Sequence, residues 1–175
     1  MGFKERTIGG LLLAFLLVTA LPHVVYGQEK PSAKTGLFES YELKSTNISA
    51  FPQWQRVLNA IERQQGLYQR CAENLANCPD PALGKWQLFL KRLKTQNLPE
   101  KDVLKTVHRF SRGWPYREDI RVYQQSDYWA SPREFVQSGG DCEDFAIFSY
   151  VSLIDLGVPK DRMRIVVVRD NIRDI

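Results

Sequence analysis

The sequence is poor in histidine, has no apolar run long enough to cross a membrane, and gathers neither charge nor repeats into any one region. Only His23 and His108 occur among 175 residues. The apolar stretch from Ile8 to Leu21 falls short of the ~20 residues a helix needs to span a bilayer. No segment repeats and no tract is of low complexity. With 43% hydrophobic, 11% aromatic and 25% charged residues, the composition is that of a globular domain and excludes disordered, collagenous and coiled-coil chains. Twenty-four Lys and Arg against 20 Asp and Glu leave a formal +4, but the cations are scattered rather than aligned, which argues against nucleic acid as a partner. The length suits one domain whose core needs neither metal nor staple.

Lys4 and Arg6 precede the apolar stretch, and Val25-Tyr26-Gly27 ends on a small residue, so residues 1–27 read as a signal peptide cleaved after Gly27. An uncleaved anchor or a buried helix is the alternative. Cleavage removes His23 and leaves His108. Export also changes what three cysteines mean, because an oxidising compartment favours one pair and one thiol left over. Cys71 and Cys78 are the close pair. Seven positions of continuous helix would separate their Cα atoms by ~10.5 Å, beyond the ~7 Å a disulfide tolerates, so pairing requires a bend. The asparagines between them, with Pro79 and Pro81 after, fit a helix end followed by a turn. Two separate buried thiols are the other possibility.

Residues 28–50 are polar and without sustained periodicity, and read as an arm ahead of a domain that starts near Phe51. Trp54, Val57, Leu58 and Ile61 recur at helical spacing, as do Leu83, Trp86, Leu90 and Leu93, and then Val103, Val107 and Phe110. Three helices therefore come first. Pro99 suits a first helical turn, and Gly113 with Pro115 closes the third helix. Ile120 to Tyr123 is either an edge strand or an irregular link. Ser131-Pro132-Arg133-Glu134 carries the capping-box pattern, so a short helix runs through Phe135 and Val136 and stops at Gly139-Gly140. A second helix starts at once with Asp141 as its cap and ends at Gly157, and Met163 to Arg169 is a β-branched run of strand length.

Chemistry concentrates in Gly139-Gly140-Asp141-Cys142-Glu143-Asp144. A cysteine in the first turn of a helix faces unpaired N–H groups and the positive end of the macrodipole, which suit a nucleophilic thiolate. Three adjacent carboxylates oppose it and need neutralising. Clustered carboxylates are hard oxygen ligands of the kind calcium accepts. The competing reading makes Asp141 and Asp144 helix caps, Glu143 a solvated acid and Cys142 a small core residue.

Asp127-Tyr-Trp-Ala-Ser-Pro-Arg-Glu-Phe135, Gly-Gly-Asp-Cys-Glu-Asp-Phe-Ala146, Leu156-Gly-Val-Pro159 and Met163-Arg-Ile-Val166 together resemble the bacterial transglutaminase-like cysteine peptidases of the LapG type. The resemblance runs from about Trp54 to Arg169 and implies an α+β, papain-like core: a helical N-terminal half, with the cysteine helix packed on an antiparallel sheet. It implies Cys142 as nucleophile, with Asp141 and Glu143 in a calcium site and Asp144 as a weaker third ligand. It further implies a periplasmic protease that cuts a large surface adhesin and so controls biofilm release, held in check by an inner-membrane cyclic-di-GMP receptor. Trp129 is expected either at a substrate or partner surface or packed under the Cys142 helix.

The same resemblance places the family's general-base histidine, and then an aspartate, just after the strand corresponding to Met163 to Arg169, beyond Ile175. A cysteine peptidase needs such a histidine to take and return the thiol proton. His108 lies on the periodic third helix and is not assigned to catalysis. Three functions follow: the peptidase, a non-catalytic calcium- or partner-binding remnant of the fold, and a transglutaminase or amidase using the same thiol.

Overall fold

The computed structural model describes residues 48–167. The expected leader, the polar arm as far as residue 47 and the last residues of the expected strand lie outside them.

Helix α1, Pro52–Glu73, opens with proline in its first turn, where a missing N–H costs nothing, and buries Val57, Ala60 and Cys71. Leu58, counted in its apolar stripe, is instead exposed. The helix stops at Asn74, whose backbone turns extended while its side-chain oxygen accepts the Ala76 N–H at 3.1 Å. A 3₁₀ turn, Leu75–Asn77, then swings the chain back. Cys78 is thereby brought to a Cα distance of 4.5 Å from Cys71, and the two form a disulfide. The bend that the spacing demands is the one the asparagine makes.

Asp80 joins two helices. One carboxylate oxygen caps α2, Pro81–Lys94, by accepting the Leu83 N–H at 3.1 Å. The other accepts Gln137 at 2.6 Å and Arg133 at 3.2 Å, both from α5, Pro132–Ser138. Helix α3, Glu100–Ser111, begins one residue after Pro99 and packs on α6, Cys142–Asp155. Ser131 and Glu134 form the capping box expected at the start of α5, and Gly139 closes that helix at φ 78°.

Ile120 to Tyr123 is neither an edge strand nor irregular. A four-residue helix, α4, spans Asp119–Val122, with Tyr123 N–H on the Asp119 carbonyl at 2.7 Å. Its β-branched residues find no neighbouring strand, so local turn bonds satisfy the backbone instead. The sheet of the α+β expectation is likewise not found among the described residues: they contain one isolated parallel bridge, Tyr116 to Gly140. Residues 163–167 follow a 3₁₀ turn, Lys160–Arg162, and form no β-ladder there, leaving Val166 and Val167 exposed. A β-branched run is only half of a strand, and the other half is a partner.

The core is aromatic and centred on α6. Phe148 is fully buried against Trp86, Trp114 and Phe135, with ring centroids 4.8–5.8 Å apart. Trp86 spends its one donor on Ser152 Oγ at 3.0 Å and Trp114 on the Val136 carbonyl at 2.7 Å, so neither indole is buried unsatisfied. Leu83, Leu90, Val136 and the Cys71 end of the disulfide complete the cluster. Among the described residues no helix is long and apolar enough to cross a membrane.

Replacing both Cys71 and Cys78 by serine is expected to cost about 2.5 kcal/mol, the chain-entropy value for so short a loop. Urea denaturation of the oxidised parent and the double variant measures this, and equal midpoints would contradict it.

Candidate active site

Cys142 is the first residue of α6, a free and exposed thiol. The reading of this cysteine as a core residue is thereby corrected. The same helix buries Ile147, Phe148 and Ser152, so the Cys142 thiol stands at the solvent end of a deeply anchored element. Helix geometry leaves the N–H groups of its first turn without intrahelical acceptors.

Two glycines shape the approach to it. Gly139 has φ 78°, and a Cβ there would stand 2.3 Å from the Pro115 carbonyl oxygen. Gly140 donates to that same carbonyl at 3.3 Å and accepts the Arg117 N–H at 2.9 Å. A Cβ on Gly140 would meet an Asp144 carboxylate oxygen at 2.1 Å. The segment 115–117 is thus held against the residues just before Cys142. Tyr116, whose backbone bridges to Gly140, is 62% exposed. Partial desolvation, then the fields of Cys142 and Asp141, push that phenol up from its ordinary value.

The acids divide into two sets. Asp144 is fully buried, and its oxygens accept the Ala130 N–H at 2.6 Å and the Asp141 N–H at 3.3 Å. Burial, with the charges of Asp141 and Asp119 adding to it, drives its carboxyl up to about 7 despite those bonds. Asp141 and Glu143 instead converge with Asp119, one oxygen of each within 4.8 Å of the others. Asp119 enters this group from α4, a position the sequence pattern gave no reason to choose. Its second oxygen accepts the Tyr128 N–H at 2.6 Å. Burial and the Asp141 charge raise Asp119 to about 6, and burial and Asp141 raise Glu143 to about 8. Asp119 Oδ1 and Asp141 Oδ1 are buried without a hydrogen-bond partner. Carboxylate oxygens this close, two of them orphaned, are a donor set for a hard cation.

Behind the acids, Arg56 of α1 donates to the Trp129 carbonyl at 2.9 Å, to Glu134 at 2.7 Å and to the Tyr128 hydroxyl. Trp129 itself is half-buried, its indole N–H on Asp127 at 2.8 Å. His108 lies on the exposed side of α3, where it lines a surface cavity with Lys105, Arg109 and Arg112.

An exposed thiol thus stands at the head of a buried helix, beside a carboxylate cluster. The model of the bacterial transglutaminase-like cysteine proteinases matches residues 59–174, about two thirds of the chain, and the chain belongs to that family. Calcium-bound LapG of Legionella pneumophila is 35% identical over 58% of this chain and 53% of its own, with a TM-score of 0.42. A second structure of Legionella pneumophila LapG is 33% identical over 54% of this chain and 53% of its own, with a TM-score of 0.44. The chain therefore spans about half the length of these solved relatives. No curated protein matches the chain.

The raised carboxyls set a pH dependence. Asp119, Asp144 and Glu143 keep protons in the folded state that they have lost in the unfolded chain, where they titrate near 4. Their contribution is full below about pH 4 and disappears as pH rises through about 6, 7 and 8. In chelator, the melting temperature is expected to fall between pH 5.5 and 8.5, and to fall less in Glu143→Gln. A profile identical in the two proteins would show that Glu143 titrates normally.

Proposed function

We propose that the chain carries the nucleophile half of a periplasmic, calcium-dependent cysteine peptidase of the LapG type, with a large surface adhesin as substrate. The observation that carries this is the exposed Cys142 thiol at the start of α6, in a chain of the cysteine proteinase family. Cys142 attacks the scissile carbonyl, and the first-turn N–H groups and helix dipole favour the negative charge that accompanies attack. Asp119, Asp141 and Glu143 hold calcium beside the thiol, which supplies the positive charge those acids lack. Asp144 stands behind as the residue that fixes the Asp141 backbone. The domain is read as the papain-like core of the family resemblance, with the run from Met163 as a strand of its sheet. In that reading the general-base histidine and aspartate lie outside the described residues. The signal peptide at 1–27, the inner-membrane cyclic-di-GMP receptor as partner and a part for Trp129 in the substrate or partner surface belong to the same reading.

Calorimetry tests the metal. Calcium is expected to bind with proton release and more tightly at pH 8 than at pH 6, because it must displace protons from Asp119 and Glu143. Asp119→Asn and Glu143→Gln should each weaken it, and undiminished affinity in the double variant would place the site elsewhere.

The 175-residue chain by itself is expected to leave the adhesin uncut, since His108 sits on the exposed side of α3 and general acid–base catalysis is worth 10²–10⁴-fold. An extension bringing the family's histidine strand and aspartate should restore Cys142-dependent cleavage. Robust cleavage by the short chain would refute this assignment and place the base on His108 or on a second copy.

A further inference from the structure

We propose that Arg56 is a positioning residue for the acids beside Cys142: by clamping residues 128–130 it holds Asp119 and Asp144 in place and so raises the affinity of the carboxylate cluster for calcium. The inference rests on the reading of Asp119, Asp141 and Glu143 as a calcium site. An ordinary ion pair would use one acceptor, and Glu134 at 2.7 Å would supply it. Arg56 instead spends its fork on three acceptors of one segment: the Tyr128 hydroxyl, the Trp129 carbonyl at 2.9 Å and the Glu134 carboxylate. Its guanidinium also lies 3.8 Å from the centroid of the Tyr128 ring, which stacks in turn on Tyr123, the residue that ends α4.

The backbone between those acceptors holds the acids. Tyr128 N–H donates to Asp119 at 2.6 Å, and Ala130 N–H donates to Asp144 at 2.6 Å. The Trp129 carbonyl and the Ala130 N–H belong to one planar peptide unit, so Arg56 grips one edge of the group whose other edge binds Asp144. Asp144 in turn fixes the Asp141 backbone. The Asp119 carboxylate has no second hold among the described residues, because its other oxygen is buried without a hydrogen-bond partner. Releasing the segment would therefore free Asp119 to turn out of the cluster and loosen the start of α6. None of the Arg56 hydrogen bonds goes to Asp119, Asp141 or Glu143, so its action on them passes through the segment.

Positioning and charge predict effects of opposite sign. Through space a guanidinium repels a second cation, so deleting its charge alone would tighten calcium, whereas losing the clamp weakens it. Titration calorimetry of the full chain with calcium chloride reads the difference. Arg56→Met is expected to lower calcium affinity about tenfold, the lower end of what loss of an outer-sphere partner costs a metal site. Arg56→Lys keeps the charge and can pair with Glu134 but cannot serve all three acceptors, and it should lower affinity as well. Affinity unchanged or higher in both variants would overturn the role of Arg56. Undiminished affinity in the Asp119→Asn and Glu143→Gln double variant would instead overturn the metal site on which it rests. A second readout needs no calcium and decides the matter where Arg56→Met does not fold. In chelator, amide hydrogen exchange of Arg56→Lys is expected to show lost protection at Tyr128 and Ala130 while Leu90 in α2 keeps its own. Protection retained at all three amides, or lost equally at all three, would overturn the proposal.

Discussion

The Asp144 carboxylate is the fixed point around which the rest of the site is arranged. It has no contact with solvent, and its two oxygens hold the backbone N–H groups of Ala130 and Asp141, drawing the segment before α5 and the segment before α6 onto one side chain. A buried carboxylate is costly, and the cost is tolerated where backbone donors would otherwise be left open. Because Asp144 belongs to the first turn of α6, the anchor and the Cys142 thiol share one rigid element. The exposed thiol thus inherits its position from a group that never meets solvent.

Around that anchor the molecule divides its labour. Aromatic rings from α2, α5 and α6, with Trp114 from the segment after α3, hold the Cys142 helix by its buried face, and the two indole donors are matched to a hydroxyl and a carbonyl. Arg56 ties α1 to Trp129 and Glu134. Neither system touches the acids directly. Their effect is to keep the segment that bears Asp119 close to α6, so that negative charge accumulates at its exposed end.

The parts that were legible in the sequence are those set by local rules. The capping box at Ser131, the glycine stop at Gly139, the three apolar stripes and the bend needed for Cys71 to meet Cys78 all rest on residues a few positions apart. Asp119 was not legible, because its meeting with Asp141 and Glu143 depends on a tertiary bond from the Tyr128 N–H and on a short helix where the residue types suggested extended chain. The pairing of the segment at Tyr116 with Gly140 was missed for a similar reason, since it rests on an isolated backbone bridge. The run from Met163 shows the limit of residue preference, which marks a strand while a ladder needs a second chain segment that is not found among the described residues.

The two glycines ahead of Cys142 look equivalent as letters but are constrained in different currencies. Gly139 is bound by its own backbone hand and by the Pro115 carbonyl, main-chain features that no side-chain change elsewhere would relax. Gly140 has no such backbone requirement. What excludes a methyl group there is the Asp144 side chain, its Cβ at 2.6 Å included. Only glycine at 144 would remove that atom and admit alanine at 140, while surrendering the bonds to Ala130 and Asp141. The second glycine is therefore conditional on its neighbour four positions on, a case of pairwise epistasis, and the first is not.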